Sequence, residues 1–253
     1  MKKGILIIVL LIILVLIVSI CIKSNIFSSS EKVDDYTELG KENAINYIKN
    51  KYGFVPNIVS VDNEYIENGT IPDVNFKGTL SGWVYVKMEH NNREFYTYIQ
   101  GNKQTELGTD NYQYNEIVSD ILSEVKDVVG KDPYRYNVEY GEVLYKDNKI
   151  ICKGLIDKKY DKSNLIEISV ENPINIKLEY VDNANIDKLQ NKELSIFNKG
   201  NNVVFINYKS IDDCESSSVE YFTDTSIMSE ATHISNAFIW DGFKGTYYNE
   251  FKD

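Results

Sequence analysis

The chain has 253 residues, with 27 Lys and Arg against 38 Asp and Glu and a formal charge of −11. That acidic balance, with no basic patch along it, excludes nucleic acid as a partner and repels anionic lipid headgroups. The length suffices for one good core or two small ones.

The first element is a run of apolar residues. Every side chain from Ile5 to Val18 is Ile, Leu or Val, and Ser19 is the only polar one before Lys23. As a helix, residues 4–22 would be about 28 Å long, enough to cross a hydrocarbon core about 30 Å thick. A buried core helix with no polar face is not expected to look like this. Residues 1–23 are therefore read as a cytoplasmic tip and an uncleaved transmembrane signal anchor. Lys2 and Lys3 precede the run, and Glu31, Asp34 and Asp35 follow it. The positive-inside bias then puts the C-terminal part outside. Two other readings stay open. Cys21 could be a lipidation site, although Ile20 stands where a lipoprotein box requires a small residue. Ser28, Ser29 and Ser30 offer a small-residue cleavage site.

Beyond the run the chain carries 24 basic and 38 acidic residues, a formal charge of −14. Tyrosine is abundant, with 19 residues, and Ile, Asn and Lys are plentiful. That usage fits an AT-rich genome and points to a low-GC Gram-positive source.

Residues 24–37 read as a flexible spacer of Ser and acidic residues. Residues 39–51 read as a helix with Ala44, Ile45, Ile48 and Tyr52 on one face and Gly53 as its stop. Residues 58–61 read as a strand, and Asn68-Gly69 as a turn. Residues 83–88 and 94–100 form an aromatic hairpin about the turn His90-Asn91-Asn92-Arg93. Residues 114–129 are an amphipathic helix whose stripe is Ile117, Val118, Ile121, Leu122, Val125, Val128 and Val129, ended by Gly130 and Pro133.

The segment 42–53, with Glu42, Ala44, Tyr47, Ile48, Tyr52 and Gly53, followed by Ile58-Val59-Ser60-Val61, resembles a recurring one. It is similar to segments of uncharacterised membrane-anchored and lipoprotein-like extracytoplasmic proteins of Firmicutes. Some of those have cystatin-like or PepSY-like domains, a helix packed on an antiparallel sheet. The resemblance covers about 50 residues. It implies that fold and carries no function.

In the second half, residues 136–145 and 150–156 read as a hairpin. Residues 165–170 and 174–181 read as strands, 186–197 as a short helix, and 203–208 and 219–222 as strands. Residues 238–240 and 243–248 close the chain as a hairpin with a type I′ turn at Asp241-Gly242. The connections are short and favour antiparallel pairing, so the fold class expected is α+β: an N-terminal transmembrane helix and antiparallel-sheet domains with packed helices. A break at 130–133 would give a helix-on-sheet unit, residues 38–130, and a β-rich α+β unit, residues 131–253. In the first, helix 114–129 would lie on the aromatic hairpin.

Candidate chemistry is sparse. Cys152 and Cys214 are a candidate disulfide in an oxidising compartment. No CxxC accompanies them, and His90 and His233 have no ligand spacing, so no metal site is expected. The segment 182–187 offers alternating oxygens. Counted from Asn183, however, Lys188 and Leu194 stand where a calcium loop needs Gly and Glu. No phosphate loop, GxGxxG, HExxH or GxSxG is present, and no cofactor is expected. The surface candidate is the aromatic hairpin, in which Trp83 and Tyr85 point together and so do Tyr96 and Tyr98. One face would pack on helices, and the other would stay open to bind.

The sequence is thus read as a single-pass, extracytoplasmic membrane protein, held in the membrane by its N-terminal helix, that binds or modulates another envelope protein without catalysis. Two alternatives stay open: an envelope hydrolase using carboxylates, and a peptide- or glycan-binding module. A deep cleft with two close carboxylates favours the first, and an exposed aromatic face the second.

Overall fold

The computed structural model describes residues 35–66, 79–146, 149–182, 184–217 and 233–249. The apolar run, Cys21, Asn68-Gly69 and the strand expected at 219–222 lie outside them. Among the described residues, no helix is long and apolar enough to cross a membrane.

The fold is α+β. The first sheet is a meander of four antiparallel strands in sequence order: β1 (Asn57–Ile66), β2 (Thr79–His90), β3 (Arg93–Gln100) and β4 (Gly108–Asp110). Asn91 and Asn92 join β2 to β3 with φ of 52° and 61°, the left-handed pair that a two-residue hairpin turn requires. Alternation splits this hairpin into two faces. Val84, Val86, Met88, Phe95 and Ile99 point to helix α1 (Thr37–Tyr52) and are buried with its Ala44, Tyr47 and Ile48. The helix face is turned toward Tyr47 relative to the expected stripe, and Ile45 is only half-buried. Gly40 allows the close approach, because a Cβ there would collide with Val84.

The second sheet has the order β11-β10-β9-β8-β5. Its strands are β5 (Arg135–Glu139), β8 (Asn175–Val181), β9 (Asn202–Tyr208), β10 (Ile234–Trp240) and β11 (Gly245–Asn249). Pairing is antiparallel except for β8 and β9, which run parallel. Helix α2 (Tyr114–Val129) has the expected bounds. Its stripe packs on this second sheet, against Val138, Ile176, Leu178, Val203, Phe205 and Phe238, rather than on the aromatic hairpin. The hairpin's inner face is already filled by α1. The opposite face of the second sheet buries Val204, Ile206, Tyr208, Ala237 and Ile239 with Cys214 of helix α4 (Ile211–Ser216).

Between the sheets lies a third ladder, β6 (Glu142–Lys146) with β7 (Lys149–Leu155). The single strand expected over 136–145 is broken at Gly141, whose φ is 63° and where a Cβ would collide with the Leu155 carbonyl. β5 therefore pairs with β8, and β6 with β7.

Three further expectations are corrected. Residues 165–170 form helix α3 (Leu165–Glu171), not a strand. It follows a 3-10 turn capped by Asp161, whose side chain accepts from Ser163 N while Asn164 bonds back to Asp161 N. Residues 186–197 hold only a 3-10 helix, Ile186–Asn191. In the last hairpin Trp240 pairs with Gly245, so four residues turn the chain rather than two. Asp241 Oδ1 accepts from Phe243 N and Lys244 N and holds that wider loop.

Candidate functional site

The aromatic residues singled out in the sequence are brought together, and a second layer covers them. Tyr85 is buried, and Tyr96 and Tyr98 pack with it against Leu144, Ile151, Cys152 and Leu155 of the β6–β7 ladder. Trp83 is half-buried and stacks on Tyr98 with ring centroids 4.7 Å apart. Tyr98 Oη donates to Glu64 at 3.0 Å.

Cys152 and Cys214 are free thiols in separate clusters, so they form no disulfide. Burial pushes the Cys152 thiol up to about 12 and raises that of Cys214. A thiol held protonated is a poor nucleophile. His90 stacks on Phe54 at 3.7 Å. His233 Nδ1 lies 2.7 Å from Asp213 Oδ1, and Ser210 Oγ donates to the other oxygen of the same carboxylate at 2.6 Å. The carboxylate thus stands between serine and imidazole, where a nucleophile–base pair needs direct contact. Its hydrogen bonds to Ser210 and His233 hold Asp213 below the usual carboxylate range. Asp182 has a left-handed φ of 59°. Among the described residues no cluster of His, Cys, Asp and Glu could hold a metal.

The most concentrated polar chemistry joins α1 and the first sheet to the β6–β7 ladder. Lys51 Nζ donates to Asp110 Oδ2 at 2.7 Å, to Tyr47 Oη at 2.9 Å and to the Ile156 carbonyl at 3.0 Å. Tyr47 and Tyr52 hydroxyls donate to the two Asp110 oxygens at 3.0 and 2.9 Å. The side chains of Lys51 and Asp110 are 7% and 0% exposed. Burial pulls the Lys51 ammonium down, and Asp110 opposes that pull. All three ammonium protons are used, so the cluster is closed and pins α1 to β4 and to the end of β7. A second closed group centres on Glu179, which takes Arg135 through Nε and Nη2 at 2.5 and 2.8 Å and the Tyr208 hydroxyl at 3.1 Å.

An open concave surface lies elsewhere, along the outer flank of α2. A groove of about 460 Å³ is lined by Tyr114, Val118, Leu122 and Lys126, by Asn115, Ser119 and Ser123, and by Asp132 and Tyr136 across from them. The helical residues form two rows at four-residue spacing, so they run along the helix as parallel ridges. Leu122 and Val118 supply an apolar floor, and Asn115, Ser119 and Ser123 a polar rim. Tyr136 stands opposite, 51% exposed. Tyr114 Oη donates to the Val138 carbonyl at 2.7 Å and closes one end, where burial pushes its phenol up to about 12. Lys126 and Asp132 pair at 2.6 Å at the other end. Sequence reading passed over this surface. The signal was there in Asn115, Ser119 and Ser123 bordering the apolar stripe, but the facing wall comes from β5, whose place no local pattern specifies.

No family model matches the chain, and no curated protein matches its sequence. Among solved structures it is similar to a DUF5037 family protein from Ruminococcus gnavus, at 12% identity, with 83% of this chain and 92% of that one covered and a TM-score of 0.31. A likeness of that size supports no statement about what this chain does.

Proposed function

We propose that this chain is a membrane-anchored extracytoplasmic protein whose globular part binds another envelope protein without catalysis. The observation that carries the reading is the contrast between closed and open surfaces. The buried carboxylates are locked into networks with Lys51 and Arg135, and the thiols are buried, whereas the groove along α2 is open, amphipathic and faced by an exposed tyrosine. The anchor rests on the apolar run at residues 5–18, and the orientation on Lys2 and Lys3 against the acidic flank.

An affinity pull-down of the intact protein from membranes, with crosslinking and partner identification, tests the role. Enrichment of one envelope protein over a control carrying residues 1–34 alone supports it. Equal recovery from both rejects it. Protease added to intact protoplasts should digest the part after residue 34, and protection of that part would reject the orientation. With an uncleaved anchor, Cys21→Ser should leave membrane retention unchanged.

A further inference from the structure

We infer that Lys51 and Asp110 condense in the folded chain to an amide between Lys51 Nζ and Asp110 Cγ, an internal crosslink from α1 to β4. This inference is independent of the binding role proposed above.

The reactants are already in contact. Lys51 Nζ lies 2.7 Å from Asp110 Oδ2, and the two side chains are 7% and 0% exposed. Holding a nucleophile against its target turns a bimolecular encounter into an intramolecular one. A dry site also penalises both charges, and passing one proton from the ammonium to the carboxylate relieves that penalty. Burial, the largest influence on Lys51, favours its neutral amine, and Asp110 opposes it. Among the described residues the next driest lysine–carboxylate pair is Lys177 with Glu179. These lie 3.4 Å apart, and Arg135 already holds both oxygens of that carboxylate.

The donors around Asp110 give its two oxygens different roles. Oδ1 accepts from the Tyr52 hydroxyl and from Tyr112 N, each at 2.9 Å. These donors stand ready to hold the negative charge that collects on Oδ1 when the amine adds to Cγ. Oδ2 accepts from Tyr47 Oη at 3.0 Å, and the same hydroxyl accepts from Lys51 Nζ at 2.9 Å. Tyr47 thus bridges nitrogen and departing oxygen and can pass a proton from one to the other.

The step balances without a co-reactant. The ammonium begins with three protons. Two leave with Oδ2 as one water, and the third stays on the amide nitrogen. The Nζ–Cγ bond forms, the Cγ–Oδ2 bond breaks, nothing is oxidised or reduced, and the two charges cancel. Every product group keeps a partner. The amide N–H has the Ile156 carbonyl, 3.0 Å from Nζ, and the amide oxygen has Tyr52 and Tyr112. Tyr47 Oη keeps the carbonyls of Ile156 and Asp157 at 3.4 and 3.3 Å. The ion pair is the state of the newly folded chain, and the amide is the state it matures into.

The test is the mass of the full-length chain, denatured before measurement. Wild type should be lighter than its sequence by one water. A tryptic digest should yield a branched peptide that joins the segment starting at Asn50, uncut after Lys51, to the segment starting at Gln104. Lys51→Arg keeps a cation and should hold its sequence mass. In chain made by cell-free synthesis and sampled over time, Tyr47→Phe should reach the lighter mass at least ~tenfold more slowly, with folding checked by circular dichroism. A wild-type mass equal to that of the sequence overturns the inference, and that result needs no variant to fold. So does a loss of water that Lys51→Arg retains, because a succinimide at an aspartate then accounts for it. A Tyr47→Phe rate equal to wild type overturns the role given to Tyr47.

Discussion

Asp110 and Glu179 are both carboxylates shut away from solvent, each accepting a cation and tyrosine hydroxyls, two at Asp110 and one at Glu179, yet they hold together different things. Glu179 faces Arg135 directly across the β5–β8 ladder, so its pair ties neighbouring strands of one sheet. Arg135 is 39% exposed and also donates to the Cys214 carbonyl. Asp110 meets Lys51 from α1, and Lys51 in turn holds the Ile156 carbonyl beyond β7. Asp110 and Ile156 also form a backbone bridge, with reciprocal bonds of 3.0 Å. The first cluster therefore joins α1 and the first sheet to the β6–β7 ladder, and its cation is almost wholly desolvated. The second reinforces one sheet and keeps its cation half in water. Removing one partner leaves an uncompensated charge, and the penalty rises with how dry that charge is.

The largest expected effect comes from cutting the chain between the clusters. A fragment of residues 34–132 keeps α1 and the meander but deprives Lys51 of the Ile156 carbonyl and α2 of Val138, Ile176, Leu178 and Phe205. It should lack cooperative unfolding and show poor NMR dispersion. A dispersed spectrum with a sharp melt would mean that α1 and the meander stand alone and that the Asp110 junction is dispensable.

Alkali should strain both clusters at once. Burial raises the phenols of Tyr47 and Tyr208, and with them those of Tyr140 and Tyr180. Below pH 10 folded and unfolded chains both keep these protons, so the stability they confer is fully present. Above pH 10 only the unfolded chain releases them, at about 1.4 kcal/mol per residue per pH unit, so for the four roughly 6 kcal/mol is lost by pH 11. Denaturant melts from pH 8 to 11, with tyrosinate absorbance followed in parallel, check this. A flat profile above pH 10 would show that these hydroxyls titrate freely in the folded chain.

Single substitutions then separate the clusters. Lys51→Ala strands the Asp110 charge and should cost about 3–5 kcal/mol. Arg135→Ala leaves Glu179 with the Tyr208 hydroxyl and with Lys177 at 3.4 Å, so it should cost roughly 2 kcal/mol. Urea melts of the two variants decide the comparison. Equal losses would mean that cation burial is not what distinguishes the junction from the ladder.

Little of this junction could be read in the sequence, because Lys51, Asp110 and Ile156 meet only through tertiary folding. What could be read was local. Helix α2 has its expected bounds because its stripe is continuous and Gly130 ends it, with a φ of 90° and its N–H on the Lys126 carbonyl. The Asn91-Asn92 turn was legible for a similar reason. Helix α3 was misread as a strand because Leu165, Ile166, Ile168 and Val170 are β-branched or aliphatic at near-alternate spacing. Seven residues cannot show a helical period, and Ile166 and Val170 in fact lie exposed. The parallel pairing of β8 and β9 and the edge position of β5 depend on long crossovers that carry no local signal. With them went the groove, whose floor was legible as the flank of α2 and whose facing wall was not.

The smallest effect belongs to a third carboxylate that accepts a tyrosine hydroxyl. Tyr98 Oη donates to Glu64 at 3.0 Å, the same bond that Tyr47 makes to Asp110. Glu64 is half-buried on an edge strand, and burial followed by this bond raises the Tyr98 phenol. Water can replace Glu64 as acceptor, and no ammonium is left stranded when the carboxylate goes. Glu64→Ala should therefore cost only about 0.5–1 kcal/mol. Lys51→Ala keeps the Tyr47–Asp110 bond and strands a buried charge, whereas Glu64→Ala removes the hydroxyl's acceptor and strands none, so the two losses set a stranded charge against a hydroxyl contact. A Glu64→Ala loss as large as that of Lys51→Ala, in the same urea melts, would show instead that a tyrosine–carboxylate bond alone is worth as much as the buried ion pair.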